Sequence, residues 1–294
     1  MTLRHLRIFS EVCHTESITK AADSLNMAQP AVSSVIKELE AYYGVKLFDR
    51  MNRRLYITDA GHQLLNYADS ILAQLAEAKD ILTDIAAASR IRIGSNVSFG
   101  LSHLADVVTD FRQKYPDIPV LTKIQNCDVI EDALLRNQLD FAITDDLAIS
   151  PYFCHHLLLS EKMIAVCSPK SPYIPKAAQL SVQDLSSIPL LLREKGSGSR
   201  TIIDTILKSN NINITAAVES TSSQVLVEFC LKGHGLLIQP VSLLQKYIDE
   251  GTLTEIPVSG IDLTRNYYLV YHKSKYLTKS MQHFIDCLEN FSFS

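Results

Sequence analysis

The sequence predicts an α/β multidomain chain in three parts: a helical N-terminal segment closed by a short two-stranded ribbon, one long helix, and a large domain of alternating strands and helices. Three observations predict it. Apolar residues recur at helical spacing through the first 41 positions, broken only by turn residues. Residues 58–87 contain no proline and a single glycine, Gly61. Beyond position 90, short apolar runs of strand type alternate with helical patterns.

At 294 residues the chain can hold two or three domains, each with a core. It is 47% apolar and 20% charged with a net charge of −4, which argues against a chain that is basic throughout. A small nucleic-acid-reading part can hide in that average. Residues 1–60 carry eight Lys/Arg against seven Asp/Glu, so any positive footprint comes from placement, and the Arg50–Arg54 cluster supplies one. The opening "MTLRHLRIFSEVCHT" is amphipathic and lacks the features of a signal peptide. No run approaches the ~18 apolar residues that span a bilayer, so no membrane partner is expected. Six scattered cysteines, without a Cys-x-x-Cys pair or metal-ligand spacing, fit reduced thiols in a cytoplasm, with no metal and no cofactor expected.

Residues 3–14, 17–25 and 29–41 read as three short helices. In "NMAQPAVSSVIKELE" (26–40), Val32, Val35, Ile36 and Leu39 form one apolar face. Pro30, Ser33, Ser34 and Lys37 form a second face that is small or cationic; a proline in the first turn costs no intrahelical bond. Next, "KLFDR" and "RLYIT" flank Met51 and Asn52, where a hairpin turn is expected. Three helices and a basic ribbon make a winged helix-turn-helix, expected over 1–58. The small face explains itself there, since a helix lying in a major groove about 12 Å wide must keep its outer side slim. Gln29 can reach a base edge, Ser33 and Ser34 bases or phosphates, and Lys37 a phosphate. Arg50, Arg53 and Arg54 suit the backbone or minor groove.

The long helix, expected within 59–89, starts after Thr58, a suitable N-cap. Leu64, Ala68, Ile71, Leu75, Ala78, Leu82 and Ile85 step by alternating fours and threes. Such a seam either docks on its own domain or pairs with a second copy. Pairing is favoured, because a lone winged domain needs a partner to read two half-sites.

In the third part "IRIGS", "PVLTKI", "LDFAIT", "KMIAVCS", "IPLLLR", "HGLLIQP" and "NYYLVYH" are strand candidates, with helices near 101–115, 128–138, 199–209 and 222–232. This reads as parallel α/β architecture, whose ligands bind beyond the carboxyl ends of strands. Ser95, Asn96 and Ser98 follow the first strand, Asn126 and Cys127 the second, and Thr144 ends the third. "REKGSGSR" (193–200) follows a strand and opens a helix. Gly196 and its neighbours let backbone N–H groups converge, Ser197 and Ser199 add hydroxyls, and Arg193 and Arg200 flank the loop. It reads either as a plain flexible loop or as a clamp for a small anion or carboxylate.

With these residues in view, the chain resembles the LysR-type transcriptional regulators over essentially its whole length. The resemblance is carried by "SITKAADSLNMAQPAVSSVIKELE", "YGVKLFDR", "RRLYITDAG", "LLRNQLDFAI" and "GHGLLIQP", in the family's order. It implies a DNA-binding domain, a dimerising linker helix, and an effector-binding domain (90–294) of two α/β subdomains, like a periplasmic binding protein. Subdomain I would be about 90–162 with 266–294, and subdomain II about 163–265. It implies a homotetramer built as a dimer of dimers, an interrupted palindrome in duplex DNA, and a small-molecule effector that switches transcription. RNA polymerase is a further candidate partner. By position, Gln29, Pro30 and Ser33 match helix-start DNA contacts and Arg53 the wing contact, while Ser95 matches an effector-domain hydroxyl. Ser34 and Cys127 depart from the family pattern; Cys127 is either a small buried residue or a redox-sensitive thiol.

Two rival classes are weaker. Ser-x-x-Lys occurs at 17–20 and 34–37, but both copies lie in the predicted DNA-binding helices and partner motifs are missing, so no enzyme is expected. A solute-binding protein would need a signal peptide and would not need residues 1–87.

Overall fold

The computed structural model describes residues 1–51, 54–83, 90–145, 152–173 and 179–293. The chain divides into two compact units, Met1–Ala88 with Ala133–Gln138, and Ser89–Asp132 with Leu139–Ser294.

The first unit opens with α1 (Leu3–Thr15), α2 (Ile18–Ser24) and α3 (Gln29–Tyr43). Ser17 caps α2 by accepting the Lys20 N–H. α3 carries its proline in the first turn and stops at Gly44, which has φ +70° and donates its N–H to the Glu40 carbonyl. The inner faces pack Phe9, Val12, Ala21, Val32, Ile36 and Leu39 into one core. Phe48 joins it, 5.6 Å from Phe9 between ring centroids. Phe48 also opens β1 (Phe48–Met51), which pairs antiparallel with β2 (Arg54–Ile57). Met51, expected in the turn, is instead a strand residue paired with Arg54, and Asn52 lies outside the described residues. Glu40 ties α3 to this ribbon, accepting from Lys46 Nζ at 2.8 Å and from the Leu47 N–H at 3.0 Å. Burial opposes its charge, but these donors outweigh burial and hold its pKa below the usual carboxylate value.

α4 (Asp59–Thr83) starts where Thr58 Oγ1 accepts the Gly61 N–H. Its apolar stripe has two fates. Ala68 is fully buried, and Leu64, Leu65 and Leu72 pack on the first unit's own core beside α1. Ser10 Oγ and His14 Nε2 on α1 both engage Asp69, at 2.5 and 3.3 Å. Farther along, Ile71 and Leu75 are 41% and 47% exposed, and Ala78 is exposed. The expected seam is corrected accordingly: Leu64 and Ala68 serve the chain's own core, because 13-residue α1 covers only the first turns of a 25-residue helix. The side chain of Leu82, and Ile85, lie outside the described residues.

After α4 the chain runs β3 (Ile91–Ser95), α5 (Val97–Ser102), α6 (Leu104–Lys114), β4 (Val120–Ile124), α7 (Cys127–Leu135), β5 (Phe141–Thr144) and the long β6 (Phe153–Cys167). It continues through β7 (Leu180–Ser181), β8 (Leu190–Arg193), α8 (Gly198–Ser209), β9 (Val218–Ser220), α9 (Ser223–Leu231), β10 (Leu236–Pro240) and α10 (Val241–Asp249). β11 (Thr254–Glu255), β12 (Val258–Ser259), β13 (Thr264–His272) and α11 (Lys279–Glu289) complete it. The main sheet has the order β4-β3-β5-β13-β6-β10-β8-β9. β4, β3 and β5 are parallel, as are β10, β8 and β9. β6 and β13 run antiparallel to each other and to their outer neighbours β10 and β5. The all-parallel reading therefore holds at each end, and two long antiparallel strands join the ends.

Separate cores pack at those ends. Phe99, Phe111, Phe141, Tyr267 and Phe284 belong to one, and Met163, Leu192, Ile203 and Ile238 to another. Along β6 the change falls between Leu159 and Met163, and at the start of β13 between Leu263, just before it, and Tyr267. The helix expected over 101–115 is divided at His103 into α5 and α6.

Candidate DNA-reading face and ligand cleft

On α3, Val32, Ile36 and Leu39 are buried while Gln29, Pro30 and Lys37 are exposed, and Ser33 is half-buried. Ser34 is exposed, but its hydroxyl donates to Glu38 Oε1 at 3.0 Å, and Glu38 in turn meets His5. Arg53 lies outside the described residues, as do the side chains of Arg50 and Arg54. What remains is a slim polar edge led by a glutamine, the shape and chemistry that a major groove accepts.

In the second unit the carboxyl ends of β3, β4, β5 and β8 converge with one residue from β13. The centre is Asp145, immediately after β5, whose side chain is 4% exposed. Its Oδ2 accepts from Arg265 Nε at 2.5 Å. Its Oδ1 accepts from Asn96 Nδ2 at 3.0 Å, with Cys127 Sγ 3.4 Å away. Arg265 is 1% exposed and also donates from Nη1 to Ser199 Oγ at 2.9 Å. Burial works against this guanidinium's charge, but Asp145 more than offsets burial and its pKa is raised. The Asp145 carboxylate lies flush against Gly198, the first residue of α8, where an added Cβ would collide with it. No side chain caps α8, so its N-terminal N–H groups and dipole favour a negative charge there. The two ends of the sheet are further joined by the Cys127 N–H, which donates to the Gly196 carbonyl at 3.3 Å.

Of the other expected cleft residues, Asn96 Oδ1 also accepts the Phe99 N–H, and Asn126 Oδ1 accepts the Val129 N–H. Thr144 Oγ1 donates to Cys127 Sγ at 3.2 Å. Ser95, Ser98 and Ser197 are buried, and the Ser95 hydroxyl is spent on the Asn96 carbonyl. Both loop arginines are engaged elsewhere. Arg193 is held by Glu194 and Ser223, and Arg200 by Asp204, Glu219 and the Arg193 carbonyl. The cleft's cation is Arg265, which sequence reasoning missed. A signal existed: in β13, Arg265, Tyr267 and Leu269 alternate as buried positions, so an arginine occupies an inward strand site.

A second concavity of about 690 Å³ is bounded by Ser102, His103, Glu161, Val241, Ser242 and Phe293 among others. Glu161 Oε1 accepts the Ser242 N–H at 2.8 Å, while Glu161 Oε2, His103 Nε2 and Ser242 Oγ are buried without partners.

All six cysteines are free. Burial pushes the Cys230 thiol up to about 12, and burial with Asp110 takes Cys287 to about 11, which disfavours reactive thiolates. Among the described residues, no group of three or more His, Cys, Asp or Glu could hold a metal ion, and no helix is long and apolar enough to cross a membrane.

Comparison with known proteins agrees with both halves. Residues 3–62 match the family model described as bacterial regulatory helix-turn-helix protein, lysR family, and residues 86–292 match LysR substrate binding domain. HTH-type transcriptional regulator YeiE of Escherichia coli (strain K12) is 28% identical over 286 residues, covering 97% of this chain and 96% of the relative. HTH-type transcriptional activator CmpR of Synechocystis sp. is 27% identical over 289 residues, covering 98% and 94%. The CcmR regulatory domain of Synechocystis PCC6803, solved in complex with 2-PG, has a similar fold, with TM-score 0.63 at 20% identity, covering 68% of this chain and 95% of that one.

Proposed function

The chain belongs to the LysR family of transcriptional regulators, and on that premise we propose that its hold on promoter DNA is switched by a small anionic metabolite in the cleft of the second unit. The observation that carries this reading is the convergence of Arg265, Asn96 and the start of α8 on one buried negative charge beyond the strand ends, with Ser199 Oγ holding Arg265 in place. The α3 edge reads one half of an interrupted palindrome, with Gln29 at a base edge and Lys37 on a phosphate. The wing arginines Arg50, Arg53 and Arg54 add backbone or minor-groove contacts. The uncovered part of α4, at Ile71, Leu75 and Ala78, pairs with a second copy, and pairs of dimers assemble into the tetramer on cytoplasmic DNA, where RNA polymerase is met.

The test starts from the full-length chain. Duplexes are selected from a random pool, and affinity and bend angle are then measured across a panel of small anions. One anion that shifts either quantity, with an effect lost in Arg265→Met, supports the reading. A panel that changes neither removes it.

A further inference from the structure

Asp145 is the only carboxylate in contact with Arg265 among the described ion pairs, and it is better held than an ordinary cleft-wall residue. Its two oxygens are served by three side chains from three segments, and its plane rests on a glycine at an uncapped helix start. That is how a bound ligand carboxylate would be held. We propose that Asp145 is the resident occupant of the effector's anion seat, and that the effector is a carboxylic acid whose carboxylate replaces it; this rests on the reading of the cleft as the effector site.

Charge decides between replacement and joint occupancy. The seat offers one guanidinium, and a second anion beside Asp145 would place two like charges against it in a buried site. Shape decides the class. The side-chain donors lie around a planar group with two oxygens, and Gly198 is pressed against that plane, so a flat carboxylate fits the seat better than a tetrahedral oxyanion. Exchange also carries a consequence for the fold. Asp145 follows β5 in one core, while Ser199 and Gly198 open α8 on the other. Asp145 holds Arg265 and Arg265 holds Ser199, so the pair links the two ends of the sheet. A free carboxylate makes the same contacts without the covalent link to β5, which weakens this connection between the ends while the Cys127 N–H bond to the Gly196 carbonyl remains.

The experiment is thermal melting of the full-length Asp145→Ala protein in sodium acetate, sodium sulfate and sodium chloride at equal ionic strength. D145A is expected to melt below the wild type and to rise by roughly 5 °C once acetate is about a hundredfold above its Kd. Sulfate should not reproduce the rise. Asp145→Asn, which keeps the seat filled with a neutral amide, should not respond to acetate. A D145A protein indifferent to acetate, equally rescued by sulfate, or insoluble even when prepared in acetate overturns the proposal. Failure of the switch reads differently: acetate still rescues D145A, while no anion alters wild-type DNA binding.

Discussion

Arg265 Nε donates to Asp145 Oδ2 across 2.5 Å, and neither side chain is more than 4% exposed. The pair joins strand β13 to the end of β5, 120 residues apart in sequence. Taking two charges out of water costs several kcal/mol each, so such a pair is a weak source of net stability. Its strength is in what happens when one partner is lost. The surviving charge then has neither water nor a counter-ion.

Arg265→Met should accordingly destabilise the protein by on the order of 3–5 kcal/mol, because it strands the Asp145 carboxylate. Combining it with Asp145→Asn should recover much of that loss. Urea midpoints of the two singles and the double form the cycle. Additive effects would mean that the two groups do not depend on each other.

Gln29→Ala should cost roughly 1–3 kcal/mol at one base position of the selected operator and little elsewhere. Lys37→Ala should weaken all duplexes alike and lower the salt-dependence slope by about one unit. Anisotropy titrations over a salt series and a set of single-base variants separate the two. Swapped behaviour would exchange the assignments of base and phosphate.

The two ends of the α4 stripe should respond oppositely to a charge. Leu75→Asp sits on an uncovered surface, so it should keep its fold and sediment as a monomer. Ala68→Asp puts a carboxylate into a site with no exposure and should unfold the first unit instead. A folded, dimeric L75D would move the self-association surface off α4.

Periodicity made the first unit legible. Helical spacing marked α1 to α3, and Thr58 marked the start of α4, because those signals come from local burial and capping. The division of the α4 stripe was not legible, since it depends on the length of a neighbouring helix. In the second unit, only the Met163–Cys167 end of β6 is continuously buried; its first half mixes His155, His156 and Ser160 with apolar residues and lacks a strand-like run. The cleft was half-legible. Strand ends pointed to Asn96, Cys127 and Thr144 and the glycine loop to Ser199, which the fold gathers around Asp145 and Arg265, yet Arg193 and Arg200 drew attention by adjacency to the same loop. Arg193 is neutralised by Glu194, its neighbour within the motif, and Arg200 by Asp204 and Glu219 outside it. Asp145 and Arg265 meet only through tertiary pairing, which a linear pattern does not contain.

Two histidines of the second unit should make its stability fall on mild acidification. Burial lowers the pKa of His103 below 6.5, only partly opposed by Glu161 and Asp106. Burial and then Lys275 lower that of His272. Both resist protonation in the folded state, whereas the unfolded chain binds protons with a pKa of about 6.5. Unfolding therefore takes up protons as pH drops below about 6.5, and stability declines from there toward the depressed folded values. Above that pH the contribution is complete. Urea midpoints at a series of pH values from about 7.5 downward should fall for the wild type, and the decline should flatten in a His103→Gln, His272→Gln double variant. An undiminished slope in that variant would place the titrating groups elsewhere, since Asp140, held by Arg92 and Lys275, has its pKa lowered and titrates only in stronger acid.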